Sequence, residues 1–250
     1  MDPILIAVII FFLAVIFSML GLGGALVYVP LLYWLGIPMS EVIPTALLLN
    51  GVTSSSAAIT YYRKKMIDLH MSAPFVLASS VGAPIGAYFT QFTPVETLLW
   101  ILSIVLVLAG GRMIFSRAGE VEDHCETVNK KERLIIGICL GFVIGIAAGL
   151  LGIGGGVFIV PLLIALGYGT KRASATSAFI VVFSSFSGFL GHIGIGQLDM
   201  TLMAYTAVAA FIGGQVGSHL MHSKMKSKTI KQMFGAVLWI MAVKVISGLW

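Results

Sequence analysis

GLGGALVYVPLL, Gly21 to Leu32, returns later in the chain as GIGGGVFIVPLL, Gly152 to Leu163. Each copy is a glycine-rich break followed by an apolar run that ends in Pro-Leu-Leu, and each sits inside a long apolar segment. A single offset of 131 residues relates the two and continues without gaps from Leu20 to beyond Gly86. At that offset Leu35-Gly36 falls on Leu166-Gly167, Thr45 on Thr176, Ser54 on Ser185, Asp68 on Asp199, and Gly82 and Gly86 on Gly213 and Gly217. An ungapped register of this length marks an internal duplication. The reading divides the chain into a first repeat, 1–115, a polar linker, 116–133, and a second repeat, 134–250.

The segments that carry the repeat are those of a membrane protein. The 250 residues are 58% hydrophobic and 10% charged, far below the roughly 25% charge of soluble domains, with a mean hydropathy of +1.04. Ile4 to Leu20, Val42 to Tyr62, Met71 to Gln91, Leu134 to Thr170, Ala173 to Leu198 and Met200 to Ser223 are uncharged. A helix needs about 20 such residues to cross the hydrocarbon. The runs are continuous rather than alternating, which predicts helices and excludes a transmembrane barrel. Met1-Asp2-Pro3 provides no basic n-region, so the first run reads as a retained helix and not a signal peptide. The formal charge of +5 sits in short loops and reflects topology, so no nucleic-acid partner is expected. Cys125 and Cys139 make neither a disulfide framework nor a metal set, and no cofactor is expected.

Loop charges orient the spans. Arg63-Lys64-Lys65, the region from Arg112 to Arg133, Lys171-Arg172 and Lys224 to Lys231 alternate with loops that lack Lys and Arg. Placing the basic loops in the cytoplasm puts 14 of the 15 Lys and Arg on one side, with both termini outside and the linker inside. The offset then sets basic loops opposite non-basic ones: Arg63-Lys64-Lys65 aligns with Gly194-Ile195-Gly196, and Ser40-Glu41 with Lys171-Arg172. The halves are therefore expected to be inverted in the bilayer. That parity requires the chain to reverse at each glycine break. Leu134 to Thr170 as one helix would run about 55 Å, nearly twice the hydrocarbon thickness. The expected fold is an all-α polytopic bundle of two inverted-topology repeats, each of about four long helices plus a short one after the break. Whether the short helices, 25–36 and 157–167, span or re-enter stays open.

A helix that starts within the membrane, near Ala25 and Val157, has first amides without intrahelical partners. Such amides must be buried in protein or line a wet cavity, and they favour an anion. Hydroxyls follow each break, joined by Asn50 in the first half, while no Lys, Arg, Asp or Glu lies near the centre of a span, so a small oxyanion fits and a metal cation does not. The candidate ligands are Gly21, Gly23, Gly24, Ala25, Thr45, Asn50 and Ser54 in the first half. Those in the second are Gly152, Gly154, Gly155, Gly156, Thr176, Ser177 and Ser185. Ala25 stands where the second half has Gly156, a departure that makes the half-sites unequal.

Other residues have plainer readings. Gly82, Gly86, Gly213 and Gly217 read as helix-packing positions. Asp68 and Asp199, each before a long run, read as N-caps rather than proton carriers, and His192 and His219 as residues near span ends. No Gly-Lys-Ser/Thr follows either glycine cluster, and no Ser-His pair or His-Glu-x-x-His lies in the spans, so ATP hydrolysis and intramembrane catalysis are not expected.

The paired GLGGALVYVPLL and GLLGIGGGVFIVPLL, each followed by a Thr/Ser-bearing apolar run, resemble the sulfite exporter TauE/SafE family of membrane permeases over essentially the whole chain. The resemblance implies a secondary transporter in the cell (inner) membrane for small sulfur-containing anions such as sulfite, thiosulfate or organosulfonates. Alternatives are an anion channel or an uptake permease for another small organic anion.

Overall fold

The structure, a computed structural model, describes residues 3–115, 130–193 and 199–224, and scattered positions from 229 to 247 beyond them. Among these residues there are nine helices and no strand. They are α1 (Pro3–Leu20), α2 (Ala25–Trp34), α3 (Met39–Arg63), α4 (Leu69–Thr90), α5 (Val95–Phe115), α6 (Lys130–Leu151), α7 (Gly156–Ala165), α8 (Thr170–His192) and α9 (Met200–Lys224). The polar stretch ends inside α6, whose first residues are Lys130 to Arg133. The remainder of that stretch with Cys125, the loop 194–198 and most residues after Lys224 lie outside the described residues.

Five helices are long and apolar enough to cross a membrane: α3, α4, α8, α9 and the Leu134–Leu151 part of α6. Their outward surfaces carry large aliphatic side chains such as Leu77, 71% exposed, and Val208, 62% exposed. Surface of that kind invites aggregation in water and is native to hydrocarbon. α2 and α7 have ten residues each, about 15 Å of helix, half the depth of the hydrocarbon, so neither crosses it alone.

The elements recur at the sequence offset. Ala25, Met39 and Leu69 begin α2, α3 and α4, and their counterparts Gly156, Thr170 and Met200 begin α7, α8 and α9. The reversal after α1 follows from glycine. Gly21 takes φ +73°, its N–H bonds the Ser18 carbonyl at 3.2 Å, and the next N–H, Leu22, bonds Phe17 at 3.1 Å. This is the Schellman pattern that ends a helix and turns the chain. Gly24 and Gly155, both left-handed, then start α2 and α7.

Helix packing rests on small residues. A Cβ at Gly82 of α4 would meet the Phe142 carbonyl at 2.5 Å, and one at Gly213 of α9 the Phe11 carbonyl at 2.5 Å. Gly86 and Gly217 lie as close to α6 and α1, which bears out their packing role. The successive contacts also give direction. Gly213 sits against Phe11 and Gly217 against Val15 and Ser18, so α1 and α9 run the same way. Gly82 against Phe142 and Gly86 against Leu150 make α4 and α6 parallel. In the centre, Gly188 meets Leu47, Gly51 meets Phe186, and Asp68, just past α3, bonds Thr176 near the start of α8. α3 and α8 therefore run in opposite senses. They are the innermost spans, 78% and 61% buried over their apolar stretches against 33–39% for α4, α6 and α9.

Candidate functional site

Both glycine breaks meet the crossing of α3 and α8. The residue between them is Asn50, fully buried on α3. Its Oδ1 accepts the Ala25 N–H at 2.8 Å, and its Nδ2 donates to Ser185 Oγ at 2.8 Å. The backbone donor fixes the amide's orientation, because only the oxygen can face an N–H. Ala25 is the first residue of α2, so Asn50 satisfies from another helix one of the amides the break leaves open.

Glycine is required here by contact as well as by backbone angle. Gly23 has φ +80° and Gly154 φ +67°. A Cβ on Gly23 would overlap Asn50 Oδ1 and Ser54 Oγ, and one on Gly154 would overlap Asn50 Nδ2 and Ser185 Oγ. Ser54 and Ser185 correspond across the repeat, as do Gly23 and Gly154, so the same glycine-serine approach is built twice around one asparagine. The breaks also touch each other: a Cβ on Gly156 would lie 2.9 Å from Leu22 Cα. That contact explains why the second half has glycine where the first has Ala25.

The structure thus brings together Gly23, Ala25, Asn50, Ser54, Gly154, Gly156 and Ser185. It sets the other candidates apart. Gly21 packs on the backbone of Ser174 and its carbonyl accepts Ser177 Oγ–H at 3.1 Å. Gly24 faces the Tyr28 ring, Gly152 faces Ile43, and Gly155 faces Ile144. Thr176 accepts the Asp68 N–H at 3.2 Å at the far end of α3. Thr45 is buried on α3, and no hydrogen bond among the described residues links its side chain to the breaks.

Three contributors escaped the sequence reading as site residues. Ser184 Oγ donates to the Gly154 carbonyl at 2.8 Å and fixes the second break. Tyr28 OH lies 3.3 Å from Thr53 Oγ1, which itself donates to the Leu49 carbonyl at 2.8 Å. Tyr61 OH donates to the Ser18 carbonyl at 2.7 Å at the end of α1. Ser184 alone carried a signal, as a hydroxyl next to Ser185. The tyrosines stand among apolar residues with nothing nearby in the chain to mark them.

No formal charge enters this centre from the spans, so its electrostatics come from dipoles. The N-termini of α2 and α7 supply partial positive charge, and the hydroxyls and the asparagine supply orientable donors. One of these, Ser54 Oγ, is buried with no hydrogen-bond partner among the described residues. Among the described residues no three His, Cys, Asp or Glu side chains converge on a metal site. The helix-start amides and hydroxyls around the breaks are donors of the kind an oxyanion accepts, and among the described residues here no nucleophile stands beside a positioned base.

Residues 6–245 match the protein family described as Sulfite exporter TauE/SafE. The chain belongs to that family. It is similar to the probable membrane transporter protein YunE of Bacillus subtilis, 28% identical over 92% of this chain and 92% of that one. It is also similar to the probable membrane transporter protein YfcA of Escherichia coli K12, 26% identical over 98% of this chain and 91% of that one. A third relative, the probable membrane transporter protein YdhB of Bacillus subtilis, is 28% identical over 86% of this chain and 88% of that one. No solved structure matches the chain. As a TauE/SafE protein it is a multi-pass membrane permease for a small molecule, not an enzyme.

Proposed function

We propose that this permease carries small sulfur-containing oxyanions, such as sulfite or organosulfonates, by alternating access at a site between two halves inverted across the bilayer. The observation that carries the reading is the convergence of both glycine breaks on Asn50, with Ser54 and Ser185 beside them. Two helix starts and neutral donors suit an anion whose charge is spread over several oxygens. The repeats 1–115 and 134–250 supply one break each. The opposite senses of α3 and α8, which correspond at the offset, support the inversion, as do the alternating loop charges, with the termini outside and the linker in the cytoplasm. Reporter tags at residues 64 and 195 test this topology, and their appearance in the same compartment would rule it out. Export of an anion from a negative-inside cell is favoured by about 2.3 kcal/mol per charge per 100 mV, so that direction needs no coupled ion.

A carrier fits better than a channel because Asn50, Ser54 and Ser185 are fully buried, which closes the site in this state. The test is flux of labelled sulfite into proteoliposomes. Gly23→Val and Gly154→Val are expected to insert into the membrane and to abolish flux; normal flux in both would remove the site. Counterflow of sulfite is expected for the carrier and absent for a channel.

A further inference from the structure

We infer that Asn50 is a built-in stand-in for the transported anion: it occupies the oxyanion position in the closed permease and must swing away when the substrate binds. The inference rests on the site proposed above and concerns what fills that site before the anion does.

The first ground is that both working ends of the side chain are already engaged. Oδ1 takes the Ala25 N–H and Nδ2 takes Ser185 Oγ, each at 2.8 Å. The Ala25 amide opens α2, so it is the donor that an anion at this helix start would use, and a carbonyl oxygen and an anion oxygen compete for it. The second ground is space. The Asn50 amide lies where a Cβ on Gly23 and one on Gly154 would each fall, so it fills the gap between the two breaks. An anion cannot enter that gap while the amide remains.

The third ground is the neighbouring hydroxyl. Ser54 Oγ is fully buried, touches the same gap beside Gly23, and has no hydrogen-bond partner among the described residues. A buried hydroxyl without a hydrogen bond destabilises the state that contains it. Asn50 Oδ1 accepts from Ala25 and receives no bond from Ser54, whereas an oxyanion with three oxygens can take Ala25, Ser54 and the Ser185 hydroxyl that Asn50 releases. The exchange thus gains one hydrogen bond and places full negative charge at the helix start. The repeat supplies the last ground. The counterpart of Asn50 is Val181, so the stand-in is a single feature of one half and not part of the duplicated scaffold.

A side chain that competes with the ligand lowers the apparent affinity by the fraction of protein it leaves competent, so removing it tightens binding. The experiment is isothermal titration of the detergent-purified full chain with sulfite, sulfate, thiosulfate and taurine. With whichever of the four binds wild type, Asn50→Ala is expected to bind about tenfold tighter or more. Asn50→Asp, which keeps a fixed negative group in the gap, is expected to lose binding. Ser54→Ala removes a hydroxyl that has no partner among the described residues, so it is expected to raise the melting temperature and to bind about tenfold more weakly. Asn50→Ser, too short to reach Ala25, replaces Asn50→Ala if that variant does not fold. Weaker binding by both Asn50→Ala and Asn50→Ser would make Asn50 a direct ligand and overturn the stand-in while leaving the site intact. Unchanged binding in Ser54→Ala and in the Asn50 variants would overturn the site itself, as would failure of wild type to bind any of the four anions.

Discussion

Asp68 and Asp199 occupy the same place in the two halves, before α4 and α9, and perform the same local task. Asp68 Oδ1 accepts the N–H groups of His70 and Met71, both at 3.1 Å, and Asp199 Oδ1 those of Thr201 and Leu202, at 2.9 and 3.0 Å. Beyond the cap they diverge. The second oxygen of Asp68 accepts Tyr168 OH at 2.9 Å and faces Arg172 Nη2 at 3.6 Å, while the guanidinium lies over the Tyr168 ring, 5.7 Å from its centre. These contacts tie the α3–α4 turn of one half to the α7–α8 turn of the other. The counterparts of Tyr168 and Arg172 are Ile37 and Glu41, and neither side chain can donate to Asp199. Duplication thus preserved the cap, which needs only one residue and its own helix. The fastening between halves, which needs partners from both, is seen among the described residues at the Asp68 end.

In the proposed alternating-access carrier, this difference is expected to make the Asp68 end the harder one to open. The largest effect that tests it is the contrast between Asp68→Ala and Asp199→Ala. Loss of a cap together with buried bonds to a carboxylate is expected to destabilise the first by about 3 kcal/mol, against about 1 kcal/mol for the second. Thermal unfolding in detergent measures both, and equal shifts would erase the distinction. Tyr168→Phe comes next. Loss of one hydrogen bond to a charged group is expected to destabilise by about 1.5 kcal/mol, and in a double-mutant cycle with Asp68→Asn most of that loss should vanish. The smallest effect comes from building the missing fastening. Ile37→Tyr with Glu41→Arg is expected to raise stability by less than about 1 kcal/mol, since Asp199 is exposed and its new pair would be screened. The same double variant is expected to slow sulfite flux in proteoliposomes by holding the second end closed. Faster flux would mean that the Asp199 end does not open during transport.

Much of the centre was legible from local chemistry. The breaks, the short helices after them, the packing glycines and both caps depend on residues near one another in the chain. Asn50, Ser54 and Ser185 were legible as polar residues in apolar spans, which demand a partner. Thr45 and Thr176 gave the same signal for a different reason. Thr176 serves a turn at the end of α3. The sequence could not separate a hydroxyl at the breaks from one at a turn, because that depends on which helix lies opposite. Gln215 illustrates the same limit: its amide donates to the Ser56 carbonyl at 2.9 Å and its oxygen accepts Thr60 Oγ1–H at 3.1 Å, joining α9 to α3. Nothing near Gln215 in the chain foretells that pairing.

The sequence alone determined the helical, membrane-spanning character of the chain, its internal repeat and the points where it turns back, because hydrophobic length, glycine angles and caps act over a few residues. Only the tertiary structure decided that one asparagine would lie between both breaks, and that Tyr168 would fasten to Asp68 across the halves. Those outcomes depend on side chains 25, 100 and 135 residues apart, whose meeting is set by how the helices pack against each other.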